Sequence, residues 1–333
     1  MIYNFTQIED KGTHIKLSTS DGDSVSIPKD KFVSIDDESG LVSIKTVGSR
    51  ATIGTISEAI YEYEFKPARE KEVVLLLQNG TVERHTYSNG IIPNSAFSNR
   101  TDIVSAKIGE GITEIGNNSF YNINSIESVT IPRSVAKIGY RAFGGCVNIK
   151  AVNISDLDAW LNIDFVITLD YDSAYDCNPA FYSKKILING EEVTSLSINN
   201  TTIGFGASNM SAVTSVSISN NTTTINPYAF SKCSGITSIN FPDSVTTIKG
   251  YVLDDCSSLS AITIGSGITF IDSWFTVSKR NCDLTIYATT PPRITSRTFY
   301  DTSGKIYVPS ESVETYKAAQ YWRAESSRIQ AIP

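Results

Sequence analysis

"SVTIPRSVAKIGYRAFGGCVNI", residues 128–149, is written again as "SINFPDSVTTIKGYVLDDCSSL" at 238–259. The first part of the phrase reads as a strand and the last as a turn or helical corner, and neither could bury a core alone. Counted from Ile126, apolar residues stand at offsets 1, 4, 6, 10, 13, 18 and 21: Ile126, Val129, Ile131, Val135, Ile138, Phe143 and Cys146. The same offsets from Ile103 give Ile103, Ala106, Ile108, Ile112, Ile115, Phe120 and Ile123. Counts from Val213 and Ile236 end on Phe230 and Cys233 and on Leu253 and Cys256, and a count from Leu259 runs through Ile271 before the pattern blurs.

A period of 23 residues with this spacing predicts a solenoid in which each copy is one coil. Offsets 4 and 6 face one side of a short strand because strand side chains alternate. A single coil cannot exclude water, so its core is completed by the coils stacked on either side. Successive strands then form a parallel sheet with a rung spacing of about 4.8 Å.

"SVTIPRSVAKIGYRAFGGC" resembles the BspA-like leucine-rich repeat family, whose pattern runs close to L-xx-I-x-I-P-xx-V-xx-I-G-xx-A-F-xx-C. The resemblance covers roughly residues 80–310. It implies a curved solenoid used for adhesion or protein recognition, of a kind common in bacteria of the gut and mouth, and it implies no catalytic activity.

The rhythm fails between Ile154 and Val193. This insert, residues 155–192, opens with Ser155 as a candidate helix cap before Trp160 and closes on a hairpin turn at Asn189-Gly190. Inserts with a D-L-x-x-W start and an N-G-E-x-V end occur in the family it resembles. The next repeat is short, 20 residues from Val193 to Val213.

Residues 1–66 lack the repeat and read as a small antiparallel β domain, with turns at Asp21-Gly22-Asp23, Asp36–Gly40 and Gly48-Ser49. The solenoid is expected over 67–310, its open N-terminal face capped by strands around "EVVLLLQNGTVERHTYSNG". Residues 311–333 are expected to form a C-terminal cap helix and tail, with Ser310 at the helix N-cap and Val313, Tyr316 and Ala319 or Gln320 on one face. The segment "IYVPSESVETYKAAQYW" resembles the usual ending of the family in Bacteroides-type bacteria.

The 333-residue chain is 41% hydrophobic and carries a formal charge of −7. That acidic balance argues against nucleic acid, which wants a basic surface. No run of 18 apolar residues exists, so no membrane-inserted helix is expected. The start, MIYNFTQIEDKGTHIK, has neither a basic nor an apolar signal region. A native Met1 would place the protein in the cytoplasm or in a virion, and a trimmed signal would place it at the cell surface.

Candidate chemistry is sparse. Two histidines, His14 and His85, lie in different segments and give neither a triad nor a zinc set. The five cysteines do not form a disulfide framework; Cys146, Cys233 and Cys256 share offset 21 and read as buried corner residues, and Cys177 as the most exposed thiol. Asp170, Asp172 and Asp176 lack the glycine and terminal glutamate of an EF-hand loop. No catalytic residue, metal ligand or cofactor is expected, and the chain reads as a non-enzyme. The expected contact residues are the insert aromatics Trp160, Tyr171, Tyr175 and Tyr182, because insertions in repeat proteins map to one face and aromatics carry binding energy.

Two functions fit. In the first, a non-enzymatic recognition or adhesion protein uses the solenoid to bind a protein or glycan at a bacterial surface. In the second, the chain is a phage virion component, a tail or fibre protein, assembled through its N-terminal domain while the solenoid binds the host.

Overall fold

The computed structural model describes residues 5–10, 14–19, 24–28, 32–38, 41–46, 49–52, 68–167, 176–275, 281–299 and 302–333. Within 5–52 the strands form two three-stranded antiparallel sheets, one over Phe5–Asp10, His14–Thr19 and Ser24–Pro28 and one over Phe32–Glu38, Leu41–Thr46 and Ser49–Thr52.

From residue 68 onward the chain winds as a leucine-rich repeat solenoid with two columns of parallel strands. The front column holds Ile103–Ile108, Ser128–Ile131 and Ala151–Ile154, and later Ser238–Phe241, Ala261–Ile264 and Asp283–Ile286. The side column holds two-residue strands such as Glu114–Ile115, Lys137–Ile138 and Thr224–Ile225. Register pairs Ser105 with Ser128, Ser128 with Ala151 and Glu114 with Lys137, each a step of 23. The repeat thus sets the ladder: a residue's partner is its own counterpart one period later.

Packing follows the same arithmetic. Every residue of the pattern counted from Ile103, Ile126 and Ile236 is buried. Only Val216 and Ile218 in the copy from Val213 are half-buried, where the front column breaks and their strand pairs on one side alone. At offset 18, Phe97, Phe120 and Phe143 form a row with centroids 5.1 and 5.2 Å apart, the first pair tilted and the second stacked, and His85 closes the row edge-on at 5.1 Å.

The corner of each coil turns through left-handed backbone. Tyr228, Tyr251 and Trp274, one period apart, have φ of 59°, 59° and 58°. Such a residue costs about 1–2 kcal/mol when it is not glycine. The same three rings stack at 4.8 and 6.0 Å, and each aromatic pair returns about 0.5–1.5 kcal/mol. The stack therefore returns part of the backbone cost.

Gly267 marks a second close approach. A Cβ there would land on the Asp243 carbonyl of the preceding coil. Gly267→Ala is expected to cost about 1–3 kcal/mol by overpacking; an unchanged denaturation midpoint would show that the coils separate freely at this rung.

The cysteines at offset 21 are packing groups. The thiols of Cys146, Cys233 and Cys256 donate to the carbonyls of Phe120, Ala207 and Phe230 at 2.9, 3.1 and 3.0 Å. All five cysteines are free, and Cys177 is buried, not exposed as expected, because the enlarged coil that carries it folds into the core. Cys282 is the half-exposed thiol. Burial pushes Cys146 and Cys233 up to about 12 and Cys282 up to about 11, so all three stay protonated at pH 8. Iodoacetamide at that pH should reach Cys282 at most in the native protein and all five after unfolding. Intact mass would read the adducts, and native labelling of Cys233 or Cys256 would contradict the packing.

At the N-terminal end of the solenoid, Glu72–Leu77 pairs antiparallel with Ile103–Ile108 and with Val82–Thr86, covering the first coil. At the other end Ile329–Ala331 adds a last parallel strand to Ile306–Val308. Ser310 does not cap the helix there. It opens a 3-10 turn, Ser310–Ser312, that delays the helix to Val313–Ala318, and its hydroxyl bonds Glu311. Tyr316 and Trp322 are buried and anchored to the carbonyls of Ala288 and Pro292, both at 2.8 Å.

Candidate functional site

The described residues of 155–192 do not leave the array. Asp164–Phe165 continues the side column on Lys137–Ile138, and Ile186–Ile188 continues the front column on Ala151–Ile154. Val152 pairs with Ile186, 34 residues on instead of 23, so the insert is one enlarged coil. Among the described residues, the extra length includes the helix Leu157–Leu161 and the short helix Ala180–Ser183.

Asp156, not Ser155, is the N-cap: its carboxylate accepts the Ala159 N–H at 2.8 Å. Ser155 instead accepts the Arg133 N–H at 2.8 Å, because it lies one rung above that turn and completes the ladder there.

The helix fills the side of the coil. Trp160 is 1% exposed, its indole N–H donates to the Gly206 carbonyl at 2.8 Å, and its ring meets Phe165 edge-on at 5.4 Å. A ligand finds no surface on it, and the expectation that Trp160 makes contact gives way to a plug between two coils. Gly206 is needed for this approach, since a Cβ would stand 2.7 Å from the Trp160 carbonyl.

Tyr182 is half-buried. Its hydroxyl donates to Asp176 at 3.1 Å and accepts the Gly145 N–H at 2.8 Å, and burial raises its ionisation well above the ordinary range. Asp176 also accepts from Arg141 at 3.1 Å, and the Arg141 guanidinium lies 4.8 Å from the Tyr121 ring centroid. This network fixes the end of the enlarged coil and leaves one side of Tyr182 to solvent. Tyr171 and Tyr175, like Asp170 and Asp172, lie outside the described residues. Among the described residues no three His, Cys, Asp or Glu side chains gather as metal ligands.

The coil that follows is short, stepping 20 residues from Ser195 to Ser215. A long coil stacked on a short one cannot keep both columns paired, and the ladders break between them. Two clefts open at this mismatch. One, of about 460 Å³, lies on the side column and is lined by Asn162, Asp164, Phe165, Thr202, Phe205 and Lys249. The other, of about 400 Å³, lies at the opposite corner between Phe181, Tyr182 and Lys184 and a bank formed by Ser211, Lys232 and Asp255. Lys232 rests 5.4 Å from the Phe181 centroid.

The structure thus brings Tyr182 to an open cleft and withdraws Trp160. The lysines at this corner escaped sequence reasoning because they belong to coils far apart in the chain. Lys184 and Lys232 sit at left-handed turns, φ 56° and 61°, the first exposed and the second half-buried. The front strands present Ser195, Ser197, Ser215, Ser217, Ser238 and Asn240 to solvent, a nearly uncharged strip of small polar groups.

Among curated proteins none matches the chain. Among solved structures, the pneumococcal vaccine antigen PcpA is 15% identical, with 90% of this chain and 98% of that one covered and a TM-score of 0.38. A leucine-rich cell surface protein from Faecalibacterium prausnitzii is 16% identical over 84% of this chain and 90% of its own, with a TM-score of 0.37. A leucine-rich repeat protein from Bacteroides ovatus is 15% identical over 81% of this chain and 100% of its own, with a TM-score of 0.29. Residues 87–162 and 189–323 match the BspA-type leucine-rich repeat region in six copies, and the chain belongs to that family.

Proposed function

We propose that this chain is a non-enzymatic recognition and adhesion protein that holds a protein or glycan of a bacterial or host surface. The observation that carries the reading is the break at the enlarged coil. The rigid repeat scaffold is interrupted there, and the interruption opens a cleft whose rim combines Phe181 and Tyr182 with Lys184 and Lys232. Loops and irregular segments on rigid scaffolds carry function more often than the scaffold does. Tyr182, with Tyr171 and Tyr175 from the same stretch of sequence, supplies the aromatic contacts in this reading. Family membership supports the binding role, and no described helix is long and apolar enough to cross a membrane.

The test is saturable binding of the full chain to a glycan array and to immobilised mucin glycoprotein. Lys184→Glu with Lys232→Glu should weaken the strongest interaction by about tenfold, the effect of two contact residues at a binding edge. Unchanged affinity in that variant would move the contact off this corner. Absence of any saturable binding would remove the recognition reading for these ligand classes.

A further inference from the structure

A second place on the solenoid has the chemistry of a binding subsite, remote in sequence from the enlarged coil. The residue that follows each front strand is small or rigid in most coils: Pro132, Ser155, Ser219, Pro242 and Gly265. After Asp283–Ile286 that position is Tyr287. Its backbone is held in the ladder, the N–H donating to the Ile264 carbonyl at 2.9 Å, yet the residue is 49% exposed. Burial therefore does not account for the ring.

The neighbour below it explains the space. Gly265 lies directly on Asp243: a Cβ there would meet the Asp243 backbone, and the next residue, Ser266, donates its N–H to the Asp243 carboxylate at 2.6 Å. Gly265 presents no side chain, so the surface dips between Pro242 and Tyr287. The dip is a shallow cleft of about 480 Å³, with Asn220, Asn240, Asp243 and Ser266 around it. Asn220, Asn240, Asp243 and Ser266 are all exposed. A cleft of this volume falls within the range of about 300–1,000 Å³ that holds small ligands.

The groups here select among ligands by chemistry. No lysine or arginine lines the cleft, and the one formal charge is the Asp243 carboxylate, so an anionic ligand is disfavoured. Two carboxamides each offer donors and an acceptor, the carboxylate accepts, and the serine hydroxyl does both. A tyrosine presents an apolar ring with a polar tip. A neutral sugar has the matching surface: one face of C–H groups for the ring, and a rim of adjacent hydroxyls that donate and accept in pairs. We infer that the Tyr287 cleft is a subsite for a neutral glycan, with the sugar ring stacked on Tyr287 and its hydroxyls bonded to Asn220, Asn240 and Asp243.

This rests on the recognition reading and adds a contact that the enlarged coil does not supply. The test titrates the full, isotope-labelled chain with lactose, cellobiose and N,N′-diacetylchitobiose, following the amides of Asn240, Asp243, Ser266 and Tyr287. At least one of these sugars should shift those signals saturably. Tyr287→Ala should weaken that binding by about tenfold, as loss of an aromatic anchor does, while Tyr287→Phe should retain it. Both changes are at the surface, and the unchanged amide spectrum of distant coils checks the fold. The inference is overturned if none of the three sugars moves these signals, or if Tyr287→Ala binds as well as the parent. It is also overturned if an extended peptide shifts these signals while the sugars do not. Loss of this subsite with persistent binding at the Lys184–Lys232 corner would leave the proposed function standing; loss at both would end it.

Discussion

Phe143→Ala is expected to lower the stability of the solenoid by about 3–5 kcal/mol, the cost of a large-to-small change in a packed core. The ring is fully buried and lies parallel to Phe120, 5.2 Å away with 2° between planes. Removing it leaves a void between two coils that the neighbouring backbone cannot close, because Phe120 N–H and Phe143 N–H are bonded to the coil above, at 2.8 and 3.1 Å. In a repeat array each coil touches only its neighbours, so the damage should be local. Hydrogen exchange should therefore show the largest loss of protection across residues 115–150, with the coils beyond 220 little changed. Equal protection throughout, with an unchanged denaturation midpoint, would show that the offset-18 row does not hold the coils together.

Much of this was readable because the period does double work. It decides which residues are buried, and it decides which residue pairs with which: Ile239 on Ile262 and Ile248 on Ile271 are counterparts in the sequence as well as neighbours in space. What escaped was the part of the chain where the two roles separate. Ile186 occupies the front-column place of Val152's successor, but nothing within a few residues of it marks the register, and the 34-residue step hides the coil. The helix cap went to Asp156 and not Ser155 because Ser155 had a stronger demand from the rung below, the Arg133 N–H. Ser310 was a reasonable cap by type, yet the chain leaving Pro309 makes a 3-10 turn first. The candidate contacts divide in the same way. Tyr182 is partly open at a corner built from coils far apart in the chain, and Trp160 is closed in by a glycine 46 residues away whose only signature is the absence of a side chain.

Trp160→Ala is therefore expected to act on stability and not directly on binding. Deleting a fully buried tryptophan costs about 3–5 kcal/mol. It also strands the Gly206 carbonyl, now bonded at 2.8 Å, and a buried acceptor left without its donor costs about 1–3 kcal/mol more where water cannot reach it. The enlarged coil and the short coil after it meet across this contact, together with the edge-on pairs Trp160–Phe165 and Phe165–Phe205 at 5.4 and 5.8 Å. The mutation should loosen the junction that opens both clefts. Trp160→Phe keeps an aromatic ring in the site but loses the N–H and part of the indole volume, so it should recover part of the lost stability. Denaturation of the three proteins, with the glycan array read in parallel below the onset of unfolding, provides the measurement. A Trp160→Ala protein as stable as the parent but unable to bind would return Trp160 to the contact surface and contradict the plug. A destabilised protein that still binds when folded would show that Trp160 is a plug and makes no ligand contact.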